Sequence, residues 1–118
     1  MYTYLGIVKR IIDGDTCVVD VVLGFYITAT LPVRLLGINA PELRGETREA
    51  GIEARDFLAS LIEGKKVQLM TFKNPQDKYG RWLGVLHLWE QNAPMNGSVN
   101  DRMVEAGHAV TYLKTKAP

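Results

Sequence analysis

The chain has 118 residues, 47% apolar and 23% charged, with 14 Lys and Arg against 13 Asp and Glu for a formal charge of +1. That length suits one domain with its own core, so residues 1–118 are read as a single domain. Near-neutral charge excludes a uniformly basic surface, so affinity for nucleic acid must come from local clusters of cations, and a lone cysteine, Cys17, excludes an internal disulfide framework. No apolar run reaches the ~18 residues of a membrane-spanning helix, and MYTYLGIVKR lacks the basic start and long apolar segment of a signal peptide. A soluble chain is expected, with no membrane partner, cytoplasmic by default and secreted if a signal has been removed.

Tyr4 to Ile12 is rich in β-branched residues and reads as a strand. Asp13-Gly14 supplies a turn, and TCVVDVVL, residues 16–23, resumes the strand until Gly24. Phe25 to Leu31 and Val33 to Ile38 read as one further strand arm, with Pro32 at a bend or an edge. The period then changes. Ala50, Ala54, Phe57, Leu58, Leu61 and Ile62 recur at spacings of three and four, the face of a helix of roughly 14 residues. Thr47 is the expected N-cap and Gly64 the C′ residue. Lys65 to Phe72 returns to strand, NPQDKYGR reads as a polar loop, and Trp82 to Trp89 as another strand. After a long turn, Ser98-Val99-Asn100-Asp101 forms a capping box for a short helix that Gly107 ends. The final LKTKAP has no pattern.

Strand, strand, strand, helix, strand, strand, helix is an α+β, mainly β, order. Few-stranded antiparallel sheets manage their edges by closing. The expected fold is a five-stranded OB-fold barrel with a helix between strands three and four and a short C-terminal helix.

Three polar clusters need explaining: Asp13-Gly14-Asp15-Thr16, Arg34 with Asn39 and Glu42, and Asp77-Lys78-Tyr79-Gly80-Arg81. Each alone has an ordinary reading: a turn dipeptide, an arginine paired with a core carboxylate, a solvated loop. Together they supply two acids and two arginines from strand ends that a barrel can converge at one mouth. Carboxylate oxygens such as those of Asp15 suit Ca²⁺ or Mg²⁺, guanidinium forks suit phosphate oxygens, and a free carboxylate can act as base toward water. These are the parts for hydrolysing a phosphodiester.

With these residues in place, the chain resembles the staphylococcal-nuclease-like, or thermonuclease, family. The resemblance is carried by IIDGDT (11–16), VRLLGINAPE (33–42), GIEARDFLASLI (51–62), DKYGR (77–81) and VNDRMVEAGHA (99–109), in the family's order, over nearly the whole chain. It implies a five-stranded barrel and Ca²⁺-dependent, largely sequence-nonspecific endonuclease cleavage of DNA and RNA, with Mg²⁺ or Mn²⁺ as alternatives. Carried over residue by residue, it implies that Asp15 ligates the metal, with Asp13 behind it, and that Asn39 and the Ala40 backbone carbonyl complete the metal set. Arg34 and Arg81 contact the scissile phosphate, and Glu42 is the general base for the attacking water. Lys78, Tyr79 and Tyr112 contact the substrate. The leaving group is the 5′-oxygen.

Two departures stand out. The family's best-known member carries aspartate where this chain has Asn39, so weaker metal binding is expected. The resemblance also implies a further C-terminal helix, for which LKTKAP supplies no pattern. Two other function classes stay open: an OB-fold nucleic-acid-binding module with weak or no turnover, which Asn39 favours, and a protein-interaction module. A monomer is expected. His87 and Cys17 read as structural, and no zinc motif is present.

Overall fold

The computed structural model describes residues 2–76 and 80–112. Its elements run β1 (Tyr2–Asp13), β2 (Thr16–Gly24), β3 (Ile27–Leu35), β4 (Ile38–Asn39), a 3₁₀ turn (Gly45–Thr47), α1 (Arg48–Ile62), β5 (Lys66–Gln76), β6 (Trp82–Glu90), β7 (Ala93–Pro94), α2 (Val99–Glu105) and β8 (Val110–Thr111).

β1, β2 and β3 form the expected antiparallel meander, with Val8 opposite Val19 and Thr16 opposite Arg34. β5 pairs antiparallel with β1, and β6 with β5. The sheet order is therefore β3-β2-β1-β5-β6, and a parallel pairing of β3 with β6 (Val33 with Trp82, Arg34 with Leu83) closes it into a five-stranded barrel. This closure places the start of β2, the end of β3 and the start of β6 side by side. β1 breaks register between Val8 and Arg10 and again between Ile11 and Asp13. Such bulges bend a strand, and here they precede the turn that carries both aspartates.

Alternation along the strands sends Val8, Val19, Val21, Val33, Leu35, Val67, Leu69 and Leu86 inward. α1 contributes Gly51, Ala54, Leu58 and Ile62, one stripe at spacings of three and four. Truncating Leu58, which is fully buried, would cost about 2–5 kcal/mol. α2 adds Val99 and Met103, and Ser98 caps it by accepting from the Asp101 N–H at 3.0 Å. Gly64 and Gly107, both at positive φ, follow the two helices as read. Among the described residues no helix is long and apolar enough to cross a membrane.

Four local expectations are corrected. Phe25 and Tyr26 do not begin a strand. They form the two-residue turn of the β2–β3 hairpin at φ 55° and 61°, 93% and 108% exposed, because Gly24 pairs with Ile27 and leaves only two residues for the loop. Ala50 is exposed, and Gly51 takes the inward position. Thr47 stands before α1 without capping it; its hydroxyl donates instead to the carbonyls of Glu42 (2.9 Å) and Arg44 (3.1 Å). Asn74 and Pro75 belong to β5, which runs to Gln76. Asp77, Lys78 and Tyr79 lie outside the described residues.

Candidate active site

The β1–β2 turn folds around its first aspartate: Asp13 Oδ1 accepts the Asp15 N–H at 3.0 Å, an Asx turn of the kind the Asp-Gly pair favours. Asp15, only 8% exposed, points into the barrel mouth. Its Oδ1 accepts from the Thr16 hydroxyl at 3.2 Å. Its Oδ2 accepts from the Ala40 N–H at 2.9 Å and faces Arg34 Nη2 at 3.4 Å. Burial foremost, then hydrogen bonding with Asp13 and the Asp13 charge, push the Asp15 carboxyl up from 3.8 to about 6; the Ala40 amide and Arg34 pull the other way.

Arg34 sits one residue before the end of β3 with 12% of its side chain exposed. Its Nη1 donates to the carbonyls of Leu35 (2.8 Å) and Ile38 (2.9 Å), and its Nη2 donates to Asn39 Oδ1 at 2.6 Å. Three of the five guanidinium donors are thus hydrogen-bonded, and Asp15 lies at ion-pair distance from the same Nη2. An arginine in an apolar strand is accommodated because Arg34 is held at the mouth by two backbone carbonyls, an amide oxygen and a neighbouring carboxylate. Arg81, just before β6, donates from Nη1 to the Thr16 hydroxyl at 3.3 Å. Thr16 thus links Arg81 to Asp15, one hydroxyl donating and accepting at once.

Ala40 and Glu42 lie on the loop after β4. Ala40 packs where Gly14 has no side chain: a Cβ on Gly14 would come within 2.6 Å of the Ala40 Cβ and 2.7 Å of the Ala54 Cβ. Gly51 does the same for Glu42, since a Cβ there would lie 2.5 Å from the Glu42 carbonyl oxygen. The loop is therefore pressed against α1 at both points. The Glu42 carboxylate itself is 72% exposed and meets Arg44 Nε at 3.3 Å, a surface pair of small energetic weight.

The structure thus gathers Asp13, Asp15, Arg34, Asn39, Ala40 and Arg81 at one mouth, with Glu42 on the adjoining loop. Tyr112 is half-buried and its N–H donates to the Gly37 carbonyl at 3.0 Å, which places it beside β4. Lys78 and Tyr79 fall outside the described residues. Sequence reasoning missed Thr16 as the link between the arginine and the carboxylate, and Gly14 and Gly51 as the residues that set the loop; their only signal was adjacency to Asp15 and a glycine inside a helical stripe.

Among the described residues no cluster of three or more His, Cys, Asp or Glu gathers to hold a metal. What the mouth offers a cation is hard oxygen: the Asp15 and Asp13 carboxylates and the neutral oxygens of Asn39 and Ala40. That donor set fits Ca²⁺ or Mg²⁺ and not a soft metal.

A model of the family described as "Staphylococcal nuclease homologue" matches residues 32–118. The chain belongs to this family. It is 32% identical over 120 residues to "Endonuclease YhcR" of Bacillus subtilis (strain 168), covering 93% of this chain and 9% of that protein. It is 26% identical over 132 residues to "Uncharacterized protein MJ1439" of Methanocaldococcus jannaschii, covering 93% of this chain and 60% of that protein. To the "Thermonuclease" of Staphylococcus intermedius it is 32% identical over 88 residues, covering 72% of this chain and 49% of that protein. The chain therefore spans from less than a tenth to about three fifths of the length of these relatives. The staphylococcal nuclease family model begins within β3 and takes in Arg34, Asn39, Ala40, Glu42 and Arg81, while Asp13 and Asp15 precede it.

Proposed function

We propose that the chain is a Ca²⁺-dependent, largely sequence-nonspecific endonuclease that hydrolyses phosphodiester bonds of DNA and RNA, acting as a monomer. The observation that carries this reading is the pairing of a buried aspartate with a pinned arginine, Asp15 with Arg34 at 3.4 Å, beside a second arginine, Arg81. Names of two relatives, an endonuclease and a thermonuclease, support the same reaction class.

The divalent cation would be held by Asp15 and the Ala40 carbonyl with Asp13 behind them, and it would polarise a phosphate oxygen. Asn39 Oδ1 can join while keeping Arg34, since a carbonyl oxygen has two lone pairs. Arg34 and Arg81 present positive charge to the phosphate, where negative charge grows in the transition state. Because Arg34 is already held in place, it spends little reorganisation when the substrate arrives. Glu42, exposed on the loop, takes the proton of the attacking water. The 5′-oxygen departs, leaving a 3′-phosphate.

A cleavage assay on plasmid and single-stranded DNA and on RNA, with Ca²⁺, Mg²⁺, Mn²⁺ or EDTA, tests the proposal. Cutting that requires a divalent cation supports it. Salt-sensitive binding without cutting would instead make the chain a binding barrel.

A further inference from the structure

Next to the mouth lies a cleft of about 290 Å³ between residues 39–41 on one side and 107–110 on the other, with Thr47 at its end. The pairing of Asn39 with Val110 between β4 and β8 joins its two walls. We infer that this cleft is a subsite for a single nucleobase, that of the nucleotide flanking the phosphate held at Arg34. The inference rests on the nuclease reading above and adds where the substrate strand goes.

Position is the first ground. Ala40 lines the cleft and donates its N–H to Asp15 Oδ2 at 2.9 Å, so the cleft and the phosphate site share a wall. A strand with a phosphate held at Arg34, beside Asp15, must carry a neighbouring nucleotide past it. The second ground is chemistry. None of the lining residues is Asp, Glu, Lys or Arg, so the cleft does not select phosphate. It suits an uncharged ring with hydrogen-bonding edges. One such partner is on hand. Arginine only donates, so the Asn39 atom facing Arg34 at 2.6 Å is the oxygen. Planarity then turns the Asn39 amino group away from Arg34, and it has no hydrogen-bond partner among the described residues. On the other wall, His108 is fixed in plane by stacking on Phe57, ring centroids 4.7 Å apart. The third ground is size. The volume lies at the bottom of the ~300–1,000 Å³ range of small-molecule pockets, enough for one base and too little for a base pair. A base that enters must leave its stack, so unpaired strands are the favoured substrate.

The test uses short single-stranded DNA with one ordinary phosphodiester and phosphorothioate linkages elsewhere, carrying one abasic nucleotide at successive positions. The parent should show KM raised about tenfold, within what one base stacked on an aromatic ring contributes, when the abasic residue occupies one of the two positions flanking the linkage, with kcat little changed. His108→Ala should erase that difference. Val110→Trp, a change at an exposed position that fills the cleft, should raise KM for the intact strand to the abasic value and leave the abasic KM where it was; it carries the test if circular dichroism shows His108→Ala unfolded. Equal KM at every abasic position in a parent that cuts normally overturns the subsite and leaves the nuclease reading standing. No cutting and no binding of any strand overturns both.

Discussion

Arg34 donates to Asn39 Oδ1 across 2.6 Å while the same Nη2 lies 3.4 Å from Asp15 Oδ2. One guanidinium nitrogen is thus shared between a buried carboxylate and a neutral amide. Asn39→Asp would place Arg34 between two carboxylates and give a bound cation one more charged ligand. Because ligand charge largely sets Ca²⁺ affinity, the calcium concentration for half-maximal cleavage should fall several-fold. An unchanged or higher requirement would separate residue 39 from the cation.

Arg34→Lys keeps the charge and loses the fork that two carbonyls, Asn39 and Asp15 hold in place. Loss of one preorganised donor typically costs about 2.7–4 kcal/mol in the barrier, so turnover should fall about 100-fold or more, as it should for Arg81→Ala. Cleavage at the parent rate in both variants would remove the arginines from the chemistry.

Glu42→Gln should slow cleavage by a factor of order 10²–10⁴ and leave thermal stability nearly unchanged, since its pair with Arg44 is exposed. A normal rate would assign the proton transfer elsewhere.

Asp15 makes stability depend on pH in the direction opposite to a salt-bridged surface acid. Its carboxyl keeps a proton up to about pH 6 in the fold against 3.8 ordinarily, so between those values the folded state binds more protons than the unfolded one. Stability falls as pH rises through that window and stays lower above it. Asp15→Asn should therefore be more stable than the parent at about pH 8, by an amount of order 1–3 kcal/mol, and match it at about pH 4. Its cation-dependent cleavage should be lost. In the metal-free parent, a melting temperature that rises from about pH 4 to pH 8 while Asp15→Asn stays flat would contradict the raised pKa.

Gly51→Ala forces the Glu42 carbonyl, 2.5 Å from the added Cβ, to move. Alanine is the better helix former by roughly 1 kcal/mol, yet kcat should drop because the loop bearing Glu42 is displaced. An unaltered kcat would show that the loop position does not set the rate.

Much of the fold was legible because apolar alternation and the helical period are local signals. Barrel closure through β3 and β6 was inferred from architecture, since a pairing between Val33 and Trp82 leaves no local trace. Phe25 and Tyr26 read as strand by β propensity, whereas hairpin register places both at the turn. Gly51 takes the inward place that apolar counting assigns to Ala50, because the Glu42 backbone comes close enough there to forbid a side chain. At the site, the DGDT and Arg34-to-Glu42 stretches announced themselves by charge in unusual places. The Arg34–Asn39 bond did not, because two residues five apart meet only when the chain turns between β3 and β4, where Gly37 takes φ 84°.

The most direct test of the Asp15–Arg34 mouth as a cation-dependent phosphodiesterase centre is single-turnover cleavage of a labelled single strand by the parent and Arg34→Lys, in Ca²⁺ and in EDTA. The parent should cut in Ca²⁺ and stop in EDTA, and Arg34→Lys in Ca²⁺ should be slower by about 100-fold or more. Equal rates for the two proteins, or cutting that continues in EDTA, would contradict it.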